Sequence, residues 1–509
     1  MQFLNIDQLF ASHFARNYTQ VPDNKSGRNC DPLFYCRHWG RMVAKVKEAH
    51  TNSAFICDSG TYIQRNDQKE KHTVDLSATL KTNDDCYDPY LHREVAHPTT
   101  NWETLFHLLK GSLGTGILAM PKAFSNAGYA LATVGTIFIG FICTYCIHLL
   151  IKCEYELCKR RKIPSLTYPG TAEAAFAEGP GPAKKFAPYS GYMVNIFLLI
   201  YQLGACCVYI VFIAVNIQAV ANHYVGDIAV ELYMVMFLIP LILLNWIRNL
   251  KRLAPLSTFA NFITVISFAI TLYYIFKTGP TFEEREPVSV IENIPLFFGT
   301  VLFALEAVGV IIPLENEMKT PQAFGGVFGV LNKGMSLIVT LYTVIGLLGY
   351  LTYGPITEGS ITLNLPKEDI LAQVAKAGLA LAIFITYTIQ YYVAIDITWN
   401  QYLGPKLENH PKAKIFEYTT RTVLVLMTFI LAAAVPALDL FISLFGALCL
   451  SAVGIAIPAA IESCTYWYHR QGWSFYLMNV KNLALILFGV CGLIAGTYTS
   501  LRDIIHKFS

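Results

Sequence analysis

A chain of 509 residues that is 54% hydrophobic and only 14% charged, with a mean hydropathy of +0.43, is written for lipid, because soluble proteins carry about 25% charged residues. Its net charge of +3 and its lack of any basic run interleaved with aromatics exclude a nucleic-acid partner. The opening stretch MQFLNIDQLFASHFARNYTQ has no basic region followed by an apolar core, so no cleaved signal peptide is expected.

Residues 1–100 are polar and irregular, carry the charge run QRNDQKEKH and show no sustained helical period. A mostly disordered N-terminal tail is expected there, followed by a membrane domain over 101–505. The tail stretch CDPLFYC is not followed by a His/Cys pair at finger spacing, so no metal site and no cofactor are expected. YTQV, Tyr18 to Val21, fits a tyrosine-based sorting signal.

From residue 102 onward, apolar stretches of about 20 residues recur, each long enough to cross about 30 Å of hydrocarbon. Their approximate bounds are 102–126, 129–151, 191–219, 229–247, 253–276, 294–316, 329–352, 370–401, 421–436, 438–461 and 480–501. The expected fold is an all-α polytopic membrane protein with eleven transmembrane helices and the lipid bilayer as its main solvent. With the N-terminus in the cytosol, the inside loops hold 18 Lys and Arg and the outside loops 4. The positive-inside rule therefore places the N-terminus in the cytosol and the C-terminus outside or in a lumen. The only N-x-S/T sequons, at Asn17 and Asn24, then fall on the cytosolic side, and no N-glycosylation is expected.

The first span opens as HLLKGSLGTGILAMP, residues 107 to 121, with Gly111, Gly114 and Gly116 close together. Glycine costs a helix about 1 kcal/mol relative to Ala. Such residues serve either close helix packing or an unwound break whose free N–H groups and positive dipole end face an anion. Glycine density and the hydroxyl of Thr115 favour the break. The sixth span, FFGTVLFALEAVGVIIPLENEM, carries Gly299, Glu306, Gly309 and Pro313. An acid near mid-membrane, as Glu306 is, marks function by default. Interrupted first and sixth spans point to a transporter of two inverted five-helix repeats with broken helices 1 and 6 plus one extra helix. That reading rests on placement, since the halves show no convincing residue identity.

HLLKGSLGTGILAMPKAFSNAGY, CCVYIVFIAVNI and FGTVLFALEAVGVIIPLENEMKTP, in this order, resemble the proton-coupled amino acid transporters of the amino acid/auxin permease family. The resemblance spans roughly residues 100 to 505. It implies eleven spans, the inverted-repeat fold, and uptake of small neutral amino acids such as glycine, alanine and proline by symport with protons. It also implies residence in the plasma membrane, the lysosome or both. A histidine before the glycine-rich break is tied to proton coupling in the family, and His107 is the matching position. The family's extracellular disulfide has no counterpart, since the expected outside loops contain no cysteine. Growth-signalling partners are an expectation for the tail.

A zwitterion must have both charges paired before it leaves water. The N–H groups at Gly114, Thr115 and Gly116 are the candidates for its carboxylate. Carbonyls freed at Lys110–Gly111 and near Phe303–Leu305 are the candidates for its ammonium, with Ser112 beside the break. Tyr201, Gln202 and Tyr209 straddle the third span, and the tyrosines are expected to limit substrate size. His107 and Glu306 are the proton-coupling candidates. Lys110 is expected to snorkel or to pair with an acid such as Glu306. Glu315 and Glu317 are expected at the cytosolic end of span six, in a gate contact. Asp396, Asp439 and His148 are expected to be solvated or interfacial. An enzyme is excluded, because no HExxH, GxSxG or comparable cluster occurs in the spans. A facilitative carrier and an amino acid-sensing receptor remain as alternatives.

Overall fold

The computed structural model describes residues 87–95, 98–112, 114–248, 254–305, 308–408 and 410–508. Residues 1–86 of the expected disordered tail 1–100, the sequons, the sorting signal and Glu306 lie outside the described residues, while residues 87–95 of that tail include a 3-10 turn, Pro89–His92.

Long runs of apolar residues satisfy their backbone groups internally and so fold as helices. In chain order these are α1 (Asn101–Ser112), α2 (Thr115–Ala127), α3 (Tyr129–Arg161), α4 (Tyr168–Glu178), α5 (Gly181–Val225), α6 (Val230–Asn245) and α7 (Ala254–Thr278). They continue as α8 (Ile294–Ala304), α9 (Val308–Asn316), α10 (Val330–Tyr353), α11 (Ile370–Ile395), α12 (Ala413–Ala434), α13 (Leu438–Phe445), α14 (Ile457–Thr465) and α15 (Trp473–Phe508). A π-helical stretch, Asp396–Leu403, prolongs α11, and a second, Gly446–Ala456, joins α13 to α14. Among the described residues the only strand-like feature is an isolated parallel bridge between Thr99 and Met318.

The protein is thus an all-helical, multi-pass membrane protein. Among the described residues nine helical runs are long and apolar enough to cross a membrane. The other two expected segments take different forms. The first is split into α1 and α2, and the fourth, α6, has only 16 residues. Expectation and structure also differ in the loops. The stretch between the second and third spans contains α4, which begins at Thr167 as N-cap and Pro169 in its first turn. Those are the start signals of a helix too short and too polar to register as a span.

Burial sorts the helices. The run Leu438–Thr465 is 89% buried over its most apolar window, whereas Trp473–Lys507 is 17% buried. The former is the centre of the bundle. The latter lies at its rim, turning Leu483, Leu487 and Ile494 outward, as a lipid-facing surface requires. Prolines do not set the breaks: Pro121, Pro188, Pro240 and Pro313 all lie inside helices.

Candidate functional site

The first span stops being helical at Ser112 and resumes at Thr115. Gly114 sits at the N-cap of α2 and offers no side-chain cap. The opening N–H groups of any helix lack intrahelical partners, so α2 presents donors at its start. The Gly114 N–H is already engaged, donating to Ser112 O at 3.0 Å. That leaves Thr115 and Gly116 as the better-placed donors of the expected set. Ser112 O also accepts from the Tyr342 hydroxyl on α10, while the Ser112 hydroxyl turns back to Leu108 O at 3.1 Å. The end of α1 is therefore pinned from outside its own helix.

The three glycines have different surroundings. A Cβ at Gly111 would meet nothing within 4 Å, and one at Gly114 would meet only the Tyr209 hydroxyl, at 3.7 Å. A Cβ at Gly116 would stand 2.6 Å from Ala304 Cα. Gly116 is thus required for the backbones of α2 and α8 to touch, whereas Gly111 faces open space and Gly114 the Tyr209 hydroxyl.

The sixth span stops at Ala304, where Leu305 leaves helical conformation with ψ 14°, and α9 begins at Val308. Gly299 is packed hard, with a Cβ position 2.3 Å from Ser443 O, while Gly309 has room.

The two breaks meet at one cavity, lined by Gly111, Ser112, Gly114, Thr115, Gly116, Tyr201, Tyr209, Phe303 and Ala304. Its volume of about 20 Å³ suits one ordered water. Of the residues singled out from sequence, Leu305 does not line it, being buried beyond the end of α8, and Ala304 lines it instead. A small apolar residue inside a helix carries no sequence signal that could have found it. Tyr201 and Phe303 form one wall, with ring centroids 5.8 Å apart. Beside Tyr201, the buried Gln202 has an Oε1 atom with no hydrogen-bond partner among the described residues.

His107 does not line the cavity. It lies one helical turn before Gly111, is 8% exposed, and its Nε2 has no partner among the described residues. Lys110 approaches Ser257 Oγ at 3.5 Å. Its expected partner Glu306 lies outside the described residues. Asp396 is not solvated. It is 1% exposed and accepts from Asn400 Nδ2 at 2.7 Å and Gln401 Nε2 at 3.4 Å. The π-helical turn brings those amides round to it, which no period-based reading anticipates. His148 pairs through Nε2 with Asn332 Oδ1 at 2.7 Å. Thr386 hydroxyl donates to Ala382 O of its own helix at 2.9 Å. Among the described residues, no group of three His, Cys, Asp or Glu side chains is placed to hold a metal ion.

Residues 97–502 match the family described as transmembrane amino acid transporter protein. The chain is 40% identical over 439 residues to the proton-coupled amino acid transporter-like protein pathetic of Drosophila melanogaster, covering 86% of this chain and 91% of that one. It is 26% identical over 438 residues to the probable amino acid transporter skat-1 of Caenorhabditis elegans, covering 82% and 92%. A solved structure, the inward-facing conformation of Mhp1, aligns with a TM-score of 0.49 at 13% identity, over 85% of this chain and 95% of that one.

Proposed function

This chain belongs to the transmembrane amino acid transporter family, and from that premise we propose that it is a proton-coupled symporter of small neutral amino acids of the glycine, alanine and proline class. It is a transporter and not an enzyme. The observation that carries the finer reading is the cavity between the breaks at Ser112–Thr115 and after Ala304. Its walls offer a helix N-terminus for a carboxylate and helix-end carbonyls for an ammonium, the two groups every amino acid shares. At about 20 Å³ the cavity holds one water, so it must widen to admit substrate, and the Tyr201, Tyr209 and Phe303 rings around it favour the smallest side chains.

Alternating access over eleven spans in two inverted repeats is the transport cycle we propose, with α1 and the other broken halves moving around a fixed site. His107 is proposed as the proton carrier, together with Glu306. A buried imidazole nitrogen with no partner among the described residues needs an explanation, and a transferable proton supplies one. The Lys and Arg distribution supports a cytosolic N-terminus, and the family resemblance supports residence in the plasma membrane, the lysosome or both. Growth-signalling partners of the tail remain part of the proposal.

The test is uptake and counterflow of labelled glycine, alanine and proline in proteoliposomes between about pH 7.5 and about pH 5.5, with and without sodium. Uptake that rises with acidity, needs no sodium and loses its pH dependence in His107→Gln is expected. Flat uptake across that range would make the protein a facilitative carrier, and binding without counterflow would make it a receptor.

A further inference from the structure

Just before α1, residues 87–95 form a short structured segment that belongs to no span. Asp88 caps a 3-10 turn, Pro89–His92, by accepting from Tyr90 N. Arg93, which follows it, is a cation with only 5% of its side chain exposed. It reaches Glu315 Oε2 on α9 at 2.8 Å and Glu154 Oε2 on α3 at 3.4 Å, each with 2% of its side chain exposed. Its Nε donates to Pro164 O, beyond the end of α3, at 2.9 Å. The guanidinium also lies 4.7 Å over the Tyr90 ring, which packs on Tyr155 of α3. Burial, and then the charge of Glu315, hold the Tyr90 phenol well above its usual range, so the ring stays neutral beneath the cation.

Two further bonds tie the residue leading into α1 to the turn that follows α9. Thr99 N donates to Glu317 O at 2.8 Å, and Lys319 N donates to Thr99 O at 2.8 Å. The half-helices α1 and α9 are therefore yoked at the ends away from the cavity. At the cavity, α2 and α8 are jammed together through Gly116 and Ala304, and Gly299 holds α8 against Ser443. On the yoked halves, Gly111 stands in open space and the Cβ position of Gly309 makes only an ordinary contact, with Leu198 Cδ2 at 3.9 Å. α1 is held to α10 by side chains, Leu108 packing against Gly334 and the Tyr342 hydroxyl donating to Ser112 O, contacts that must slide or break when the yoked pair moves. Arg93 holds that pair to α3.

We infer that Arg93 is the pin of a latch that closes the cavity toward the face carrying the N-terminal segment, and that it leaves Glu154 when the cavity opens there. The inference rests on the proposed transport reading for its purpose, but not for its geometry. Arg93 acts through α9 and α3 and touches no substrate, so it is a positioning residue. A single guanidinium serving two buried carboxylates cannot be removed without leaving uncompensated charge, and this makes its loss a strong push toward the open arrangement.

The chain carries its own reporter. Cys158 lies one turn from Glu154, donates to Glu154 Oε1 at 3.1 Å and is 0% exposed. Cys206, in the middle of α5, is also 0% exposed and touches no part of the latch. The experiment is the rate of N-ethylmaleimide labelling of each cysteine in the purified full-length protein, resolved by peptide mass spectrometry, for wild type, Arg93→Gln and Arg93→Lys. Arg93→Gln should speed Cys158 labelling about tenfold or more with Cys206 unchanged. Arg93→Lys should fall between, because an ammonium keeps the charge but cannot fork to two carboxylates and a carbonyl. Cys158 rates within about twofold of wild type in both variants would overturn the latch. Parallel labelling of Cys158 and Cys206 would overturn it too, by making Arg93 a residue that merely holds the fold. Counterflow of labelled alanine by the wild type tests transport separately, and its failure would leave the labelling result readable.

Discussion

Between Ser112 and Thr115 the chain leaves helix beside Gly111, whose Cβ position stands in open space, and Gly114, whose Cβ position lies in ordinary contact with the Tyr209 hydroxyl. After Ala304 it leaves helix where no glycine lies between residues 304 and 308. The glycines nearest the second break do different work: Gly299 is jammed against Ser443, and Gly309 is in loose contact with Leu198. Glycine content alone does not make a break, and a glycine beside a break need not line it. What separates the roles is the space a side chain would have, which depends on the neighbouring helix.

The largest effect should come where the first break meets the second. Gly116→Val would force a branched side chain into the backbone of α8, at a cost of about 3 kcal/mol, the upper end of what overpacking costs. Loss of the monodisperse peak in detergent chromatography is the expected result. A well-folded Gly116→Val protein would mean that α2 and α8 do not touch as described.

Gly114→Ala should leave the fold intact and reduce apparent affinity for the transported amino acid about tenfold, about 1.4 kcal/mol. Its methyl group enters a cavity of about 20 Å³ and points at the Tyr209 hydroxyl. Counterflow titration with an unchanged melting temperature would sharpen the contrast with Gly116. Equal damage to folding at both positions would erase it.

Tyr342→Phe removes the hydroxyl that donates to Ser112 O and should lower stability by about 1 kcal/mol, the net worth of one hydrogen bond. Thermal unfolding of the purified variant measures it. No change would show that the end of α1 is held by the Gly114 N–H alone.

Gly111→Ala should have the smallest effect. Nothing lies within 4 Å of its Cβ position, and the helix gains roughly 0.5 kcal/mol, part of the Gly-to-Ala preference near a helix end. A slightly raised melting temperature is expected, with a smaller loss of affinity than in Gly114→Ala.

The amino-acid sequence by itself determined the helical class, the membrane environment and the position of the first break. Each follows from local properties: the length of an apolar run, the charge of the loops beside it, and a cluster of poor helix formers such as Gly111, Gly114 and Gly116. Tyr201 and Tyr209 were legible as candidates because they straddle the middle of the third span, where a ring can limit the size of a substrate. Tertiary structure alone decided which glycine is wall and which is contact, since that depends on Ala304 and Tyr209, residues about 190 and 95 positions away along the chain. It also decided that Ala304 rather than Leu305 lines the cavity, and that Asp396 is buried among amides on a π-helical turn. Arg93, which reads in sequence as one more charge in a polar tail, bridges Glu154 and Glu315 because folding brings those distant carboxylates within reach of one guanidinium. A side chain's chemistry is written locally, but its partner is chosen by packing.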